Sequence, residues 1–248
     1  MSGIFYGIGV GPGDPELLTI KAARLIRECD VLAVAVSGFG LCAPVFEEAG
    51  EKKVPGQYLD HCVAYQIVLG AVPEAAEKDK LYLPMPMVKD KERLKQIHDA
   101  CADCTQEQLR RGRSVAFITL GDPTVYSTCL YVHKRLKRRG ADTRLIPGIP
   151  SFCAAAARMD TGLAENKEEL HIIPASYGVE ESLGLPGTKV LMKAGRKMPE
   201  VKQAVRDRGL AVQMVENCGM DNEHIYWGTE EIPEDAGYYS LVIVKEGK

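Results

Sequence analysis

Apolar runs rich in β-branched residues alternate with helical stretches through the first half of this chain. Ile4–Val10, Val31–Val36 and Val115–Leu120 are continuous runs of this kind, and the apolar residues of Leu17–Cys29 and Val125–Arg139 have helical spacing. Continuous apolar runs are typical of strands that are buried on both faces, as in parallel sheets covered by helices. The alternation therefore predicts an α/β fold whose first sheet is mainly parallel.

The segment between these runs is less regular. Ser37–Lys89 is rich in Gly, Pro and Lys, and within it we expect a strand at Leu81–Leu83 and a helix over Asp60–Val72. Asp90–Arg111 has the apolar spacing of an amphipathic helix.

The second half of the chain is denser in predicted strands. After a turn at Pro147-Gly148, a helix near Ser151–Met159 precedes a series of strands and one long helix, Pro199–Arg208. The strands are Leu170–Ile173, Lys189–Met192, Ala211–Val215, Ile225–Trp227 and Tyr239–Val244. This pattern predicts two domains, residues 1–147 and 148–248, the second of them a mixed α/β domain, and the ligand is expected in the cleft between them.

Composition and charge narrow the range of partners. The chain has 248 residues and is 46% hydrophobic, which predicts a globular protein with a sizeable core. Its formal net charge of −3 gives no positive field over the whole protein that would attract nucleic acid or an anionic membrane. No apolar run approaches the roughly 20 residues of a spanning helix, and the first residues lack the basic flank of a signal peptide. We expect a cytoplasmic protein with neither nucleic acid nor membrane as its partner.

The eight cysteines are scattered, and several in apolar surroundings, such as Cys29, Cys129 and Cys153, are predicted to be reduced thiols buried in the core. Cys101 and Cys104 form a CxxC motif near one face of the amphipathic helix, with a histidine three residues upstream at position 98. A structural metal would need further ligands, and no second CxxC supplies them. We therefore expect no protein-bound metal.

A glycine-rich turn, Gly7–Pro15, ends the first predicted strand. The dinucleotide-binding pattern G-x-G-x-x-G does not occur in it. If the pattern starts at Gly7, Pro12 takes the place of the third glycine, and if it starts at Gly9, Asp14 does. The turn also lacks the lysine of a phosphate-binding loop, and its acids would repel a phosphate. Nucleotide phosphates are thus disfavoured, and Asp14 is expected to cap a helix that Pro15 begins.

Two further turns have a related pattern. Thr119–Ser127 contains Gly-Asp-Pro, which we interpret as a tight turn after a strand, followed by a helix that the Asp caps. Ile146–Phe152 contains Pro-Gly-Ile-Pro and lies at the expected domain junction. Carboxyl ends of parallel strands share one sheet edge, where open α/β sheets bind ligands, so these turns should line one crevice. The five histidines are dispersed, and no hydrolytic triad or metal cage is evident.

These three turns, in this order and spacing, resemble those of the tetrapyrrole methyltransferases of corrin and siroheme biosynthesis. The residues that carry the resemblance are Pro12-Gly13-Asp14, Gly121-Asp122-Pro123 with Tyr126-Ser127-Thr128, and Ile146–Phe152. Within that family, Leu83–Met87 and Val190–Lys193 are similar to the C20-methyltransferases of cobalamin synthesis. The resemblance extends along essentially the whole chain.

The resemblance implies a class III methyltransferase-like fold of two α/β domains, a homodimer, and S-adenosylmethionine held in the cleft and released as S-adenosylhomocysteine. It implies methylation at C20 of a tetrapyrrole, either precorrin-2 or its cobalt-loaded counterpart, cobalt-factor II. Motif matching assigns the following residues to the cofactor: Pro12, Leu120, Gly121, Asp122, Val125, Tyr126, Ser127, Pro150, Ser151, Met192, Lys193 and Asn217.

A proton must leave C20 after methyl transfer, and Asp14, Tyr126 and Glu216 are candidate acceptors by chemistry alone. Catalysis without a dedicated base stays open, because alignment of the ring carbon with the methyl group and exclusion of water are the main tasks. The macrocycle's carboxylates need cations, and the available sets are Lys89, Lys91 and Arg93, or Arg196 and Lys197. The basic run Lys134–Arg139 is interpreted as a solvated helix face that complements the helix dipole.

Several alternatives stay open. The chain could methylate another corrin or porphyrin ring position, or RNA or a protein side chain, although the lack of an extended basic surface argues against RNA. A sensor that binds S-adenosylmethionine without catalysis is the alternative from a different functional class. The sequence does not distinguish the metal-free from the cobalt-loaded substrate, and the abundant free cysteines, which suit a reducing cell, favour the cobalt-loaded one.

Overall fold

The computed structural model describes residues 2–38, 40–174 and 178–247. The chain folds as two compact units, Met1–Pro150 and Ser151–Lys248. The domain boundary expected from the sequence lies three residues earlier, within the same proline-containing turn.

The first unit alternates strands and helices. Its elements are β1 (Phe5–Gly9), α1 (Ile20–Glu28), β2 (Val31–Val36), β3 (Val45–Glu47), α2 (Gln57–Asp60), α3 (Val63–Ala71), β4 (Asp79–Pro84), α4 (Lys91–Arg110), β5 (Val115–Thr119), α5 (Cys129–Arg138) and β6 (Thr143–Ile146). Two short 3-10 turns, Pro15–Leu17 and Pro73–Glu77, complete it.

The six strands form one sheet in the order β3-β4-β2-β5-β1-β6. All neighbours pair in parallel except β3, which lies antiparallel to β4 at the edge. The prediction of a mainly parallel first sheet is confirmed. Because β5, β1 and β6 are adjacent, the turns that follow them leave the same sheet edge side by side.

Both faces of this sheet are buried, which explains its continuous apolar runs. In β2, Leu32, Val34 and Val36 belong to one hydrophobic cluster, and Val31 and Ala33 belong to the cluster on the other face. Side chains alternate between the faces of a strand, so every position of β2 needs an apolar residue.

Two helices begin later than the sequence predicted. The helix expected over Leu17–Cys29 begins at Ile20, because the Thr19 hydroxyl accepts the Ala22 amide and acts as the N-cap. The helix expected over Val125–Arg139 begins only at Cys129. Tyr126 has a φ of +49°, a left-handed conformation that no α-helix continues through.

The expected helix over Asp60–Val72 is likewise divided. α2 ends at Asp60 and α3 begins at Val63, with Cys62 in extended conformation as its N-cap residue. The expected strand at Leu81–Leu83 and the amphipathic helix over Asp90–Arg111 are confirmed as β4 and α4.

On α4, Cys101 of the CxxC motif and His98 upstream of it contact other groups of the protein. The buried Cys101 thiol lies 3.6 Å from the Pro84 carbonyl, and the His98 ring stacks on Tyr131 of α5 at 4.4 Å between centroids. Among the described residues, no three His, Cys, Asp or Glu side chains are grouped as a metal site.

The second unit has a mixed sheet, as predicted. Its elements are α6 (Ser151–Arg158), β7 (Leu170–Pro174), α7 (Val179–Leu183), β8 (Thr188–Met192), α8 (Met198–Asp207), β9 (Ala211–Glu216), β10 (His224–Trp227), α9 (Gly228–Glu231) and β11 (Ser240–Lys245), with a 3-10 turn at Gly195–Lys197. The strand order is β10-β9-β11-β8-β7, where only β7 and β8 pair in parallel.

The apolar side of this sheet packs against α7 and α8 through a cluster that includes Leu183, Leu191, Val201 and Val242. Cys153 of α6 is exposed, so the expectation that its thiol is buried is wrong; the buried face of α6 is made by Phe152 and the alanines beyond it. All eight cysteines are free. Across the parts of the chain that the structure describes, no helix has both the length and the apolar character to span a bilayer.

Candidate functional site

Three turns of the first unit meet where β1, β5 and β6 end. The Gly9–Asp14 turn follows β1, the turn after Thr119 follows β5, and Pro147–Pro150 follows β6. These are the three glycine-containing motifs of the sequence, and the sheet order brings them together at its carboxyl edge.

The turns approach each other so closely that they exclude side chains. A Cβ on Gly148 would lie 2.3 Å from the Gly121 carbonyl oxygen, and a Cβ on Gly9 would lie 2.7 Å from the Gly148 amide nitrogen. Gly11 and Gly121 exchange backbone hydrogen bonds of 3.3 and 2.8 Å, and both have positive φ. Only glycine satisfies the spacing and the conformation here.

Asp122 connects the second turn to the third. Its Oδ2 accepts a hydrogen bond from the Gly148 amide at 3.0 Å, and its Oδ1 accepts from the Thr124 amide at 2.8 Å and from the Thr124 hydroxyl. The expectation that Asp122 caps a helix is wrong, since the residues that follow it form a turn and α5 begins at Cys129. Asp122 is buried and serves as a bridge between two turns.

Asp14 behaves as expected at the first turn. Its Oδ1 accepts the Glu16 amide at 2.8 Å, with Pro15 at the first helical position, although the element that follows is a 3-10 turn rather than an α-helix. Pro12 is buried beside it. No lysine or arginine lies between Gly7 and Thr19, so this turn is acidic.

Tyr126 and Ser127 end the second turn. Tyr126 has a positive φ and a side chain that is 51% exposed. The Ser127 hydroxyl lies 2.9 Å from that of Thr119 and accepts the Cys129 amide at 3.2 Å, which anchors the start of α5. A bulky non-glycine residue in the left-handed region is uncommon and marks a strained position that functional sites often retain.

The remaining candidates of this unit, Leu120, Val125 and Pro150, are half-buried beside the same turns. Beneath them, burial raises the pKa of the Cys129 thiol to about 12, so this thiol is not a nucleophile at neutral pH. Its Sγ would lie 2.6 Å from a Cβ on Gly7.

In the second unit, the candidates lie where β8 and β9 end and the antiparallel β11 begins. Met192 and Lys193 are at the end of β8, and Glu216 and Asn217 are at the end of β9. Lys193 and Asn217 have φ values of +59° and +54°. Ser151, the other candidate here, is the first residue of α6 and is half-buried.

The start of β11 contributes residues that the sequence did not single out. Tyr238 is 55% exposed, and the Lys193 ammonium lies 5.9 Å from its ring centroid. A Cβ on Gly195 would lie 2.3 Å from the Ala236 carbonyl oxygen. Gly195 and Gly237 were visible as isolated glycines next to strands, a signal of close backbone approach.

The Glu216 carboxylate holds this cluster together. Its Oε1 accepts the Gly237 amide at 2.6 Å, and the Tyr226 hydroxyl lies 3.4 Å from its Oε2. Burial and then the nearby Glu216 charge raise the pKa of Tyr226 above its ordinary value.

The cations expected to bind carboxylates lie in both units. Lys89, Lys91 and Arg93 are exposed around the start of α4 and have no ion-pair partner among the described residues. Lys197 pairs with Glu200 at 2.7 Å, whereas Arg196 is exposed.

The donors and acceptors of these turns fit S-adenosylmethionine better than a nucleotide phosphate. This compound carries a sulfonium and an ammonium, which tolerate nearby acids, and a carboxylate and ribose hydroxyls, which can bond to backbone groups. The turns of the first unit offer backbone amides and carbonyls with Asp14 and Asp122, and no lysine or arginine occurs in Thr119–Ser127 or Ile146–Phe152.

Comparison with known proteins gives a consistent family. The family model described as Tetrapyrrole (Corrin/Porphyrin) Methylases matches residues 5–233. A protein of Methanocaldococcus jannaschii described as a probable cobalt-precorrin-2 C(20)-methyltransferase is 33% identical over 98% of this chain and 96% of its own length. A precorrin-2 C(20)-methyltransferase of a Sinorhizobium species is 30% identical over 98% of this chain and 97% of its own.

Solved structures share the fold. The Thermus thermophilus uroporphyrin-III C-methyltransferase complexed with S-adenosylhomocysteine has a TM-score of 0.65 at 20% identity, covering 98% of each chain. A cobalt precorrin-4 methyltransferase has a TM-score of 0.69 at 18% identity, covering 98% of this chain and 94% of its own. On its sequence, and with this fold in support, the chain belongs to the tetrapyrrole (corrin/porphyrin) methylases.

Proposed function

We infer that this chain transfers a methyl group from S-adenosylmethionine to C20 of precorrin-2 or cobalt-factor II. The observation that carries the inference is the similarity along nearly the full length to C20-methyltransferases of two different organisms. The acidic, glycine-lined turns of the first unit support it, because they suit a cationic cofactor without phosphate.

The expected cofactor ligands of each unit stay proposals. In the first unit they are Pro12, Leu120, Gly121, Asp122, Val125, Tyr126, Ser127 and Pro150, and in the second they are Ser151, Met192, Lys193 and Asn217. Three of them, Tyr126, Lys193 and Asn217, hold positive φ, which is consistent with a ligand-shaped backbone.

S-adenosylmethionine supplies an electrophilic methyl group on sulfur and departs as S-adenosylhomocysteine. The C20 carbon forms the new C–C bond, the S–CH₃ bond breaks with its electron pair left on sulfur, and C20 loses a proton. The chain's main contribution is to hold the two partners in line and to keep water out. The turns fixed by Asp122 and the three glycines provide the rigidity that alignment requires.

The proton from C20 needs an acceptor or water. Asp14 retains unused acceptor capacity, since among the described residues only the Glu16 amide donates to its carboxylate. Tyr126 is half-exposed on a strained backbone. We keep both as candidate acceptors.

Several finer points remain proposals. We favour the cobalt-loaded macrocycle, a homodimer and a cytoplasmic location, with no protein-bound metal and no nucleic acid or membrane as partner. The competing activities are methylation of another corrin or porphyrin ring position and cofactor sensing without catalysis.

Calorimetric titration with S-adenosylhomocysteine tests the cofactor assignment without any substrate. We expect one saturable site, and no binding of ATP or NAD, because the turns contain no phosphate-binding cation. Equal binding of all three compounds, or of none, would overturn the assignment.

A further inference from the structure

The second unit contains a carboxylate whose oxygens are engaged by donors of its own chain. Glu216 is the last residue of β9, in register with Ser240 of β11. Its Oε1 accepts the Gly237 amide at 2.6 Å, and its Oε2 faces the Tyr226 hydroxyl at 3.4 Å. A proton delivered to Oε1 would compete with the Gly237 N–H for that oxygen.

Two further hydrogen bonds of the segment Gly237–Ser240 accompany the bond to Gly237. The Ser240 hydroxyl donates to the Gly237 carbonyl at 2.7 Å, and the Asn217 amide donates to the Tyr239 carbonyl at 3.2 Å. Of the three, only the Glu216 bond involves a charge, and charge-assisted hydrogen bonds are about twice as strong as neutral ones.

The anchored segment lies against the expected cofactor ligands of this unit. Tyr238 lies beneath the Lys193 ammonium, and Gly195 permits the backbone after β8 to touch Ala236. The segment therefore contacts both residues of positive φ, Lys193 through the Tyr238 ring and Asn217 through the Tyr239 carbonyl.

We propose that Glu216 is a positioning residue: its carboxylate holds Gly237–Ser240 in place so that Lys193 and Asn217 can bind the cofactor, and it does not accept the C20 proton. This rests on the proposed function, because it assigns those two residues to S-adenosylmethionine. It removes Glu216 from the candidate acceptors.

Two substitutions separate positioning from proton transfer. In Glu216→Gln the amide oxygen still accepts the Gly237 N–H, and its NH₂ can donate to the Tyr226 oxygen, so positioning is retained while basicity is lost. In Glu216→Ala both are lost. Glu231→Ala is the matched control, because the Glu231 carboxylate likewise accepts a backbone amide, that of Trp227. Trp227 is at the opposite end of β10 from His224, the residue that pairs with Glu216.

The experiment combines calorimetry with S-adenosylhomocysteine, hydrogen exchange of the peptide containing Gly237–Ser240, and the pH profile of methyl transfer. Glu216→Ala should bind about 10-fold more weakly and exchange faster in that peptide, as expected for loss of a charged hydrogen bond. Glu216→Gln should stay within about 3-fold of the unchanged protein in affinity, with the same pH profile. Glu231→Ala should leave all three readouts unchanged.

Two results would overturn the proposal. One is a Glu216→Gln variant that binds normally but loses methyl transfer, which would make Glu216 the proton acceptor. The other is a Glu216→Ala variant with unchanged affinity and exchange. If the unsubstituted protein bound no S-adenosylhomocysteine, the proposed function would be wrong, and so would the assignment of Lys193 and Asn217 as cofactor ligands. The exchange data would still show whether Glu216 anchors the segment Gly237–Ser240.

Discussion

The Asp122 carboxylate accepts the amide hydrogen of Gly148 at 3.0 Å, across 26 positions of sequence. The bond is buried and joins the turns that follow β5 and β6. Together with the close approach of Gly9, Gly121 and Gly148, it joins the turns that follow β1, β5 and β6.

Replacement of Asp122 should therefore affect folding as well as ligand binding. Asp122→Ala leaves the buried Gly148 amide without its acceptor, and we expect about 1–3 kcal/mol lower free energy of unfolding in urea titrations. Thr124→Val removes only the hydroxyl contact to Asp122 and is expected to cost less. If Asp122→Ala were as stable as the unchanged protein, the bridge would have no structural role.

The glycine at position 148 should be irreplaceable. In Gly148→Ala the new Cβ meets backbone atoms of Gly121 and Gly9, which cannot move as a flexible side chain would, so a loss of several kcal/mol is expected. Gly38→Ala is the control, because apart from its chain neighbours no atom of the described residues lies within 4 Å of a Cβ there, and its φ is not positive. Thermal unfolding of both variants checks the prediction; equal melting temperatures would contradict it.

The buried thiols predict a loss of stability at alkaline pH. Burial raises the pKa of Cys101 and Cys129 to about 12, whereas an unfolded thiol ionises near 8.5. The stabilisation is thus complete below about pH 8.5 and is lost as the pH rises towards 12, by up to about 1.4 kcal/mol per pH unit and thiol.

Urea titrations at several alkaline pH values, for the unchanged protein and for Cys129→Ala, measure this effect. The variant lacks one of the thiols, so its stability should fall less steeply with pH. Parallel slopes for the two proteins would show that Cys129 is not protected from ionisation in the folded state.

The cations at the start of α4 should bind substrate carboxylates. Lys91→Glu and Arg93→Glu are expected to raise the KM for the macrocycle about 3- to 10-fold each at low salt, without weakening S-adenosylhomocysteine binding. An acid in the first helical turn favours the helix dipole, so folding should be retained.

Lys134→Glu on α5 is the control for general electrostatics, because its side chain belongs to the basic face interpreted as solvated. A KM increase in this variant equal to those of the α4 variants would show a non-specific effect of net charge. The α4 cations would then have no specific place in substrate binding.

The sequence predicted the strands of the first sheet well because each of them is covered on both faces. β2 needs six apolar residues in a row for that reason, and the short length and the three valines of this run favour a strand over a buried helix. The helix starts were predicted poorly. The start of α5 depends on the Thr119–Ser127 contact and on the backbone of Tyr126, which local helical spacing does not reveal.

The turns of the candidate site were predictable from the sequence, but the hydrogen bonds between residues far apart in the sequence were not. Glycines next to strands showed where backbones approach, but the partner of Asp122 lies 26 residues away and the partner of Glu216 lies 21 residues away. Such bonds depend on strand order, which a single sequence does not fix. This is why the sequence alone indicates a helix cap at Asp122, and why it does not reveal the bond between Glu216 and Gly237.

Anaerobic incubation of the purified protein with S-adenosylmethionine and either precorrin-2 or cobalt-factor II, followed by mass spectrometry of the macrocycle, tests the central claim most directly. We predict one added methyl group, mapped to C20, with cobalt-factor II as the better substrate. A methyl group at another ring carbon, or S-adenosylhomocysteine binding without methylation of either macrocycle, would contradict the C20 assignment.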